Sequence, residues 1–249
     1  MFIITGGCSF TAHLSEESLS WANQLAEMPD YYVINTAQMA SGNSLISRNV
    51  LQALSKNYQD NPKVIVMWSN PNRFELFYGA KHPIQTEMQN DSALYNGMWL
   101  KTGGGYGYWE FESKIANNDM KTYLKHFHNE EYQLMQTLEN ILRVQWFCKC
   151  HNLQLINLLM QSIFYGYNEI LGSSVKKEGY ELFLLIDRYP SVQHLWDMID
   201  WNTWHLYNDT GGILEFCFDK GYDIENGLHP SREAQCEYLN EIVIPLLRQ

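Results

Sequence analysis

The opening residues, Met1-Phe-Ile-Ile-Thr-Gly-Gly-Cys-Ser-Phe-Thr11, decide how the rest of the chain is read. Phe2-Ile-Ile-Thr5 is a short continuous run without polar alternation, as a strand buried on both faces of a parallel sheet requires. Gly6 and Gly7 close it, and glycine backbone freedom lets the chain turn sharply there and present the next side chains at a helix N-terminus. On this stretch alone two readings fit: a tight turn whose serine caps a helix, or a reactive Ser9 at the end of a strand.

Runs of the same kind recur at Tyr31-Tyr-Val-Ile-Asn35, at Lys63-Val-Ile-Val-Met-Trp68 and at Leu153-Gln-Leu-Ile-Asn-Leu-Leu159. Between the first three, residues 17–28 and 45–58 carry apolar side chains at helical spacing, and residues 120–149 suggest one long helix before the fourth strand. Alternation of strand and helix builds a right-handed parallel sheet covered by helices. The expected architecture is a single α/β domain, a three-layer α/β/α sandwich on a central parallel sheet of about five strands. Residues 77–118, rich in glycine and amides, show no clear period and suggest a long insertion near the site. Residues 173–219 suggest short helices, one of them around 213–220. The last segment, 231–247, follows Pro230 with a serine N-cap and an apolar stripe at Cys236, Leu239 and Val243.

With 249 residues and 45% hydrophobic content, the chain has enough apolar surface for a substantial core. Its net charge of -11, without any run of lysine or arginine, argues against nucleic acid and anionic membranes as partners. Phe2 to Ile4 is too short for a signal sequence and no later segment approaches a membrane span, so a cytoplasmic protein is expected. Five cysteines in no regular framework suggest reduced thiols.

Ligands of open parallel sheets bind beyond the carboxyl ends of the strands. Ser9 follows the first strand. Asn35-Thr-Ala-Gln-Met-Ala-Ser-Gly42-Asn43 follows the second, and Trp68-Ser-Asn70-Pro-Asn72-Arg73 the third. Asn226-Gly-Leu-His229-Pro-Ser231 brings a histidine just before the final helix. These four blocks, in this order, resemble the SGNH (GDSL-type) hydrolase superfamily, and in particular a branch that opens GCSFT and ends GLHPS. The resemblance spans most of the chain but not residues 77–118 or 173–219. It implies a flavodoxin-like fold in which Ser9 is the nucleophile and His229 its general base. The backbone N–H groups of Ser9 and Gly42, with the side-chain amide of Asn70, would form the oxyanion hole. Asn72 rivals Asn70 for that role, because Pro71 leaves the register of the loop open. Asn43, Asn72 and Arg73 are candidate substrate contacts, and Arg73 has the alternative, favoured for a buried-edge arginine, of a salt bridge with Glu75 or another acidic neighbour.

Two departures from the family pattern stand out. Cys8 occupies the usual aspartate position, and the resemblance turns its side chain away from the site, although a thiol at a helix N-terminus is a conceivable nucleophile. Asn226 stands where an aspartate orients the histidine. Its oxygen can accept from the ring N–H but brings no charge, and the same replacement in a serine protease costs about 10^4 in turnover. Asp223 or Glu225 could assist instead. The implied reaction is hydrolysis of a small O-acyl ester, O-acetyl on a carbohydrate being the leading form, without metal or cofactor. Acyl transfer at the same site, or a binding or structural protein that has kept the fold and lost turnover, are the alternatives.

Other motifs carry less. Cys148-Lys-Cys150-His151 lacks a second pair at zinc spacing, and His126 and His128, two apart on an expected helix, point apart. Gly103 to Gly107 lacks the lysine of a phosphate loop. Trp99, Tyr106, Tyr108 and Trp109 suit either a loop anchor or a sugar platform.

Overall fold

The computed structural model describes residues 1–12, 19–79, 97–101, 114–167, 170–171, 182–222, 224–225 and 229–249. Strand β1 (Phe2–Gly6) is followed by helix α1 (Trp21–Ala26), β2 (Tyr32–Asn35), α2 (Asn43–Asn57) and β3 (Lys63–Trp68). A hairpin of β4 (Glu75–Gly79) and β5 (Gly97–Lys101) leads to α3 (Lys114–His126), α4 (Glu130–Cys150) and β6 (Leu155–Leu159). Strands β7 (Tyr165–Tyr167), β8 (Ile170–Leu171) and β9 (Leu182–Leu184) form a small antiparallel sheet, followed by short helices α5 (Leu185–Arg188), α6 (Gln193–Asp197) and α7 (Ile213–Asp219). The chain ends with the pair β10 (Ile224–Glu225) and β11 (His229–Pro230), then α8 (Arg232–Tyr238), a π-helical turn and α9 (Ile244–Leu247).

The central sheet is parallel, in the order β2-β1-β3-β6. The crossover from β1 to β2 runs in the opposite direction to that from β2 to β3, so right-handed connections put α1 and α2 on opposite faces. α1 packs with α8, and α2 with α4. Helices thus flank the sheet, an arrangement compatible with three layers. Ile3, Ile4, Val64, Ile65, Val66 and Leu158 are fully buried, which explains why these strands lack polar alternation.

Four strands, where about five were expected, make up this sheet among the described residues. Beyond β6 the pairing shrinks to one parallel bridge, Asn157 to Trp204, with the His205 N–H donating to the Asn157 carbonyl at 2.9 Å. Asn157 looks out of place in an apolar strand, but its Oδ1 accepts from the Trp68 indole at 2.8 Å and its Nδ2 donates to Thr203 Oγ1 at 2.9 Å. A buried amide is tolerated because it is satisfied.

The single helix expected over 120–149 is two. Asn129 interrupts it, its side chain accepting from the N–H groups of Glu131 and Tyr132, with Glu130 and Glu131 in the first turn of α4. That is an N-cap with acidic residues favourably placed at the positive helix end. α3 therefore ends at His126, and His128 lies beyond it. The interval 77–118, expected to lack a period, contains the end of β4, all of β5 and the start of α3; its remainder lies outside the described residues. Trp99 is on β5, whereas Tyr106, Tyr108, Trp109 and the 103–107 glycine run fall outside them. In the last segment Ser231 caps α8 as expected, accepting from the Ala234 N–H, but Cys236 is half-exposed and Gln235 is buried in its stead. Among the described residues no helix is long and apolar enough to cross a membrane.

Candidate active site

β1 delivers the chain to a turn closed by the Cys8 carbonyl, which accepts from the Thr11 N–H at 3.0 Å and the Ala12 N–H at 2.9 Å. The glycines before it are required by crowding and not, as the sequence suggested, by unusual backbone angles; neither has a positive φ. A Cβ on Gly6 would lie 2.2 Å from Val50 Cγ2 of α2, and one on Gly7 2.2 Å from Thr11 Oγ1. Close packing of α2 against β1 thus demands the missing side chain. Cys8 is fully buried, its Sγ 3.8 Å from Met160 Sδ, which also accepts from Ser69 Oγ. Ser9 turns the other way.

Ser9 Oγ lies 2.7 Å from His229 Nε2. The histidine arrives on β11, antiparallel to β10 with Glu225 opposite His229, and its ring packs on Phe10 at a centroid separation of 5.1 Å. Pro230 is buried and Ser231 starts α8 directly after it. Gln235 then locks α8 to the N-terminal turn: its Oε1 accepts from the Trp21 N–H at 3.1 Å and its Nε2 donates to the Phe10 carbonyl at 3.4 Å. Sequence reasoning missed this residue. The available signal was an amide four positions before Leu239, on the helix face expected to be apolar.

The loop after β3 is built as a turn. The Arg73 N–H donates to the Asn70 carbonyl at 3.0 Å, Pro71 and Asn72 fill the central positions, and Asn70 Oδ1 accepts from the Asn72 N–H at 2.8 Å. Proline is suited to the first central position and asparagine to such a local side-chain turn. With its oxygen used in this way, the buried Asn70 amide retains its NH2 group as a donor, without a hydrogen-bond partner among the described residues. Asn72 is half-buried and lines a crevice with Glu130 and Tyr189.

Asn43, a candidate substrate contact, is instead committed to the scaffold. Its Oδ1 accepts from the Ser69 N–H at 2.8 Å, and its Nδ2 donates to the Ser69 carbonyl at 2.9 Å and to Thr137 Oγ1 at 3.1 Å. One side chain thereby couples the start of α2, the end of β3 and α4. Gly42 packs so closely on the same loop that a Cβ would lie 2.4 Å from the Arg73 carbonyl oxygen. Its N–H, a candidate oxyanion donor, donates here to Glu75 Oε1. The expected alternative for Arg73, a salt bridge with Glu75, is not formed: Glu75 faces Gly42, and Nε and Nη1 of Arg73 are buried without a hydrogen-bond partner among the described residues.

Asn226 and Asp223 lie outside the described residues, as does the side chain of Glu225. Among the described residues no group of three His, Cys, Asp or Glu side chains is placed to hold a metal ion. Cys148 is buried, and burial pushes its thiol up to about 12; Cys150 is exposed; His151 packs against Tyr58 and Phe147. The structure therefore brings Ser9 and His229 together, and sets Asn70, Gly42 and Arg73 on the loops that leave the neighbouring strands β3 and β2. No protein-family model matches the chain, and no curated protein does.

Proposed function

We propose that the chain is a serine ester hydrolase of the SGNH type, acting on small O-acyl esters. The observation that carries this reading is the 2.7 Å contact between Ser9 Oγ and His229 Nε2, formed at the carboxyl end of a parallel sheet where such folds carry their chemistry. The strand order β2-β1-β3-β6 supports a flavodoxin-like sheet, and the single Asn157–Trp204 bridge extends the pairing beyond β6.

In the proposed reaction Ser9 Oγ attacks the ester carbonyl while His229 Nε2 takes the hydroxyl proton. The carbonyl oxygen becomes an oxyanion, which the Ser9 N–H and the Asn70 amide stabilise; the Gly42 N–H joins them when this oxygen displaces the Glu75 carboxylate. Collapse of the tetrahedral species breaks the C–O bond, and the leaving alkoxide takes the proton from His229. Water, deprotonated by the same imidazole, then releases the acid and restores Ser9. An acyl acceptor hydroxyl in place of water would make the reaction a transfer. The family resemblance points to a carbohydrate as the alcohol and to acetyl as the acyl part.

Asn226 favours a second reading, a protein that has kept the fold for binding or a structural role and has lost turnover. Hydrolysis of p-nitrophenyl acetate by the wild type and by Ser9→Ala separates the two. The esterase reading expects a drop of at least about 10^3-fold in the variant. Equal rates in the two proteins would end it.

A further inference from the structure

A polar cavity of about 160 Å³ opens beside the β3 turn, between the start of α2, α3 and α4. Two cationic side chains, Arg48 and Arg73, line it, together with Tyr123, Gln133 and Asn140. The polar side chains of its wall are held in place: Gln133 Nε2 donates to Tyr123 Oη at 3.1 Å, and Asn140 Nδ2 donates to Ser44 Oγ at 3.1 Å. Arg73 differs from them. Its Nε and Nη1 are shielded from solvent and meet no acceptor among the described residues. Desolvated guanidinium donors without a partner are costly, and guanidinium N–H groups make strong charge-assisted hydrogen bonds to a carboxylate or phosphate oxygen. One carboxylate, Glu75, also borders the cavity, and it is directed at the Gly42 N–H.

We propose that this cavity is a recognition subsite for a compact oxyanion, a carboxylate or phosphate group, held by Arg73 with Arg48 adding positive potential. Pro71 and Asn43 line the same cavity, so the anion would rest on the turn that presents Asn70. Resting on the esterase reading, the subsite names the substrate class as an ester that carries an anionic group. The net charge of -11 makes long-range attraction of such a substrate unfavourable, so selectivity must be local.

The site can be tested apart from turnover. Isothermal titration of Ser9→Ala protein with inorganic phosphate and with succinate is expected to show one site, weakened at least about tenfold by Arg73→Gln. Gln133→Glu, which puts a carboxylate into the cavity wall, is expected to weaken it as well, and guards against a fold defect confined to the arginine variant. The tighter of the two anions assigns the group. Absence of binding to either anion, or equal affinity in the Arg73→Gln protein, overturns the subsite. In the active protein, kcat/KM for p-nitrophenyl hemisuccinate relative to p-nitrophenyl acetate is expected to fall at least about tenfold in Arg73→Gln. If anions bind through Arg73 while Ser9→Ala hydrolyses both esters like the wild type, the subsite stands and the esterase reading falls.

Discussion

His229 Nε2 and Ser9 Oγ meet at 2.7 Å although 220 positions separate them along the chain. The contact depends on β11 ending beside the turn after β1, and on α8 being fastened there by Gln235. Removing the imidazole while keeping this fastening isolates its chemical role. His229→Ala is expected to lower kcat on p-nitrophenyl acetate by about 10^2 to 10^4, with the melting temperature little changed. An unchanged rate would remove His229 from the reaction. Asn226→Asp, which restores the orienting charge of the family pattern, is expected to raise kcat at least about tenfold; no change would mean that another group already supports the imidazole.

The Gln235 side chain hydrogen-bonds to Trp21 and Phe10 and to neither Ser9 nor His229, yet it holds the two ends of the chain together. Gln235→Ala leaves the buried Trp21 N–H and the Phe10 carbonyl without this partner, a loss of about 1 to 3 kcal/mol in urea unfolding. Gln235→Glu retains the acceptor for Trp21 but not the donor for Phe10, and should fall between the two. If Gln235→Ala proved as stable as the wild type, the bracket would have no energetic role.

Gly6 is tied to Val50 by space alone. Gly6→Ala places a methyl group 2.2 Å from Val50 Cγ2, and overpacking of this kind costs about 1 to 3 kcal/mol. Because the cause is one contact, Val50→Ala should recover part of the loss in the double variant, giving a coupling above about 0.5 kcal/mol in a double-mutant cycle. Strict additivity would assign the glycine to some other cause.

The cysteines divide by burial. In the native protein at pH 8, iodoacetamide should modify exposed Cys150 and spare Cys8, Cys148 and Cys217, as peptide mass analysis would show. Burial pushes the thiols of Cys148 and Cys217 up to about 12, with Glu215 and Glu237 adding to the rise at Cys217. The folded chain therefore holds these protons more tightly than the unfolded chain, whose thiols titrate near ~8.5. Their contribution to stability is complete below that pH and is lost as pH climbs toward 12. A Cys148→Ala/Cys217→Ala protein should lose less melting temperature between pH 8 and pH 11 than the wild type; equal losses would contradict the assignment.

Residues 2–5 and 64–68 could be identified as strands because burial on both faces leaves an uninterrupted apolar run, which is local information; the fourth strand, expected over 153–159, covers Leu155–Leu159 and carries Asn157 within it. Ser231 as a helix cap was likewise legible from local information. The break at Asn129 was also written locally, in an asparagine followed by two glutamates, but the apolar periodicity on either side concealed it. Asn43 was harder. Its type and position suited a ligand contact equally well, and only the approach of Ser69 and Thr137 from other elements commits its amide to the scaffold.

The amino-acid order by itself determined the four strands of the central sheet, the helices α1, α2 and α8 and which side chains sit at the strand ends, since periodicity, glycine and caps act between near neighbours; it did not determine the β4–β5 hairpin or the small sheet of β7, β8 and β9. Tertiary structure alone decided that Ser9 meets His229, that Glu75 takes the Gly42 N–H, and that Arg73 lines a cavity without forming a salt bridge to Glu75. Those outcomes depend on which distant groups arrive within about 3 Å of one another. Such distances are set by the packing of helices on the sheet and leave no period in the sequence.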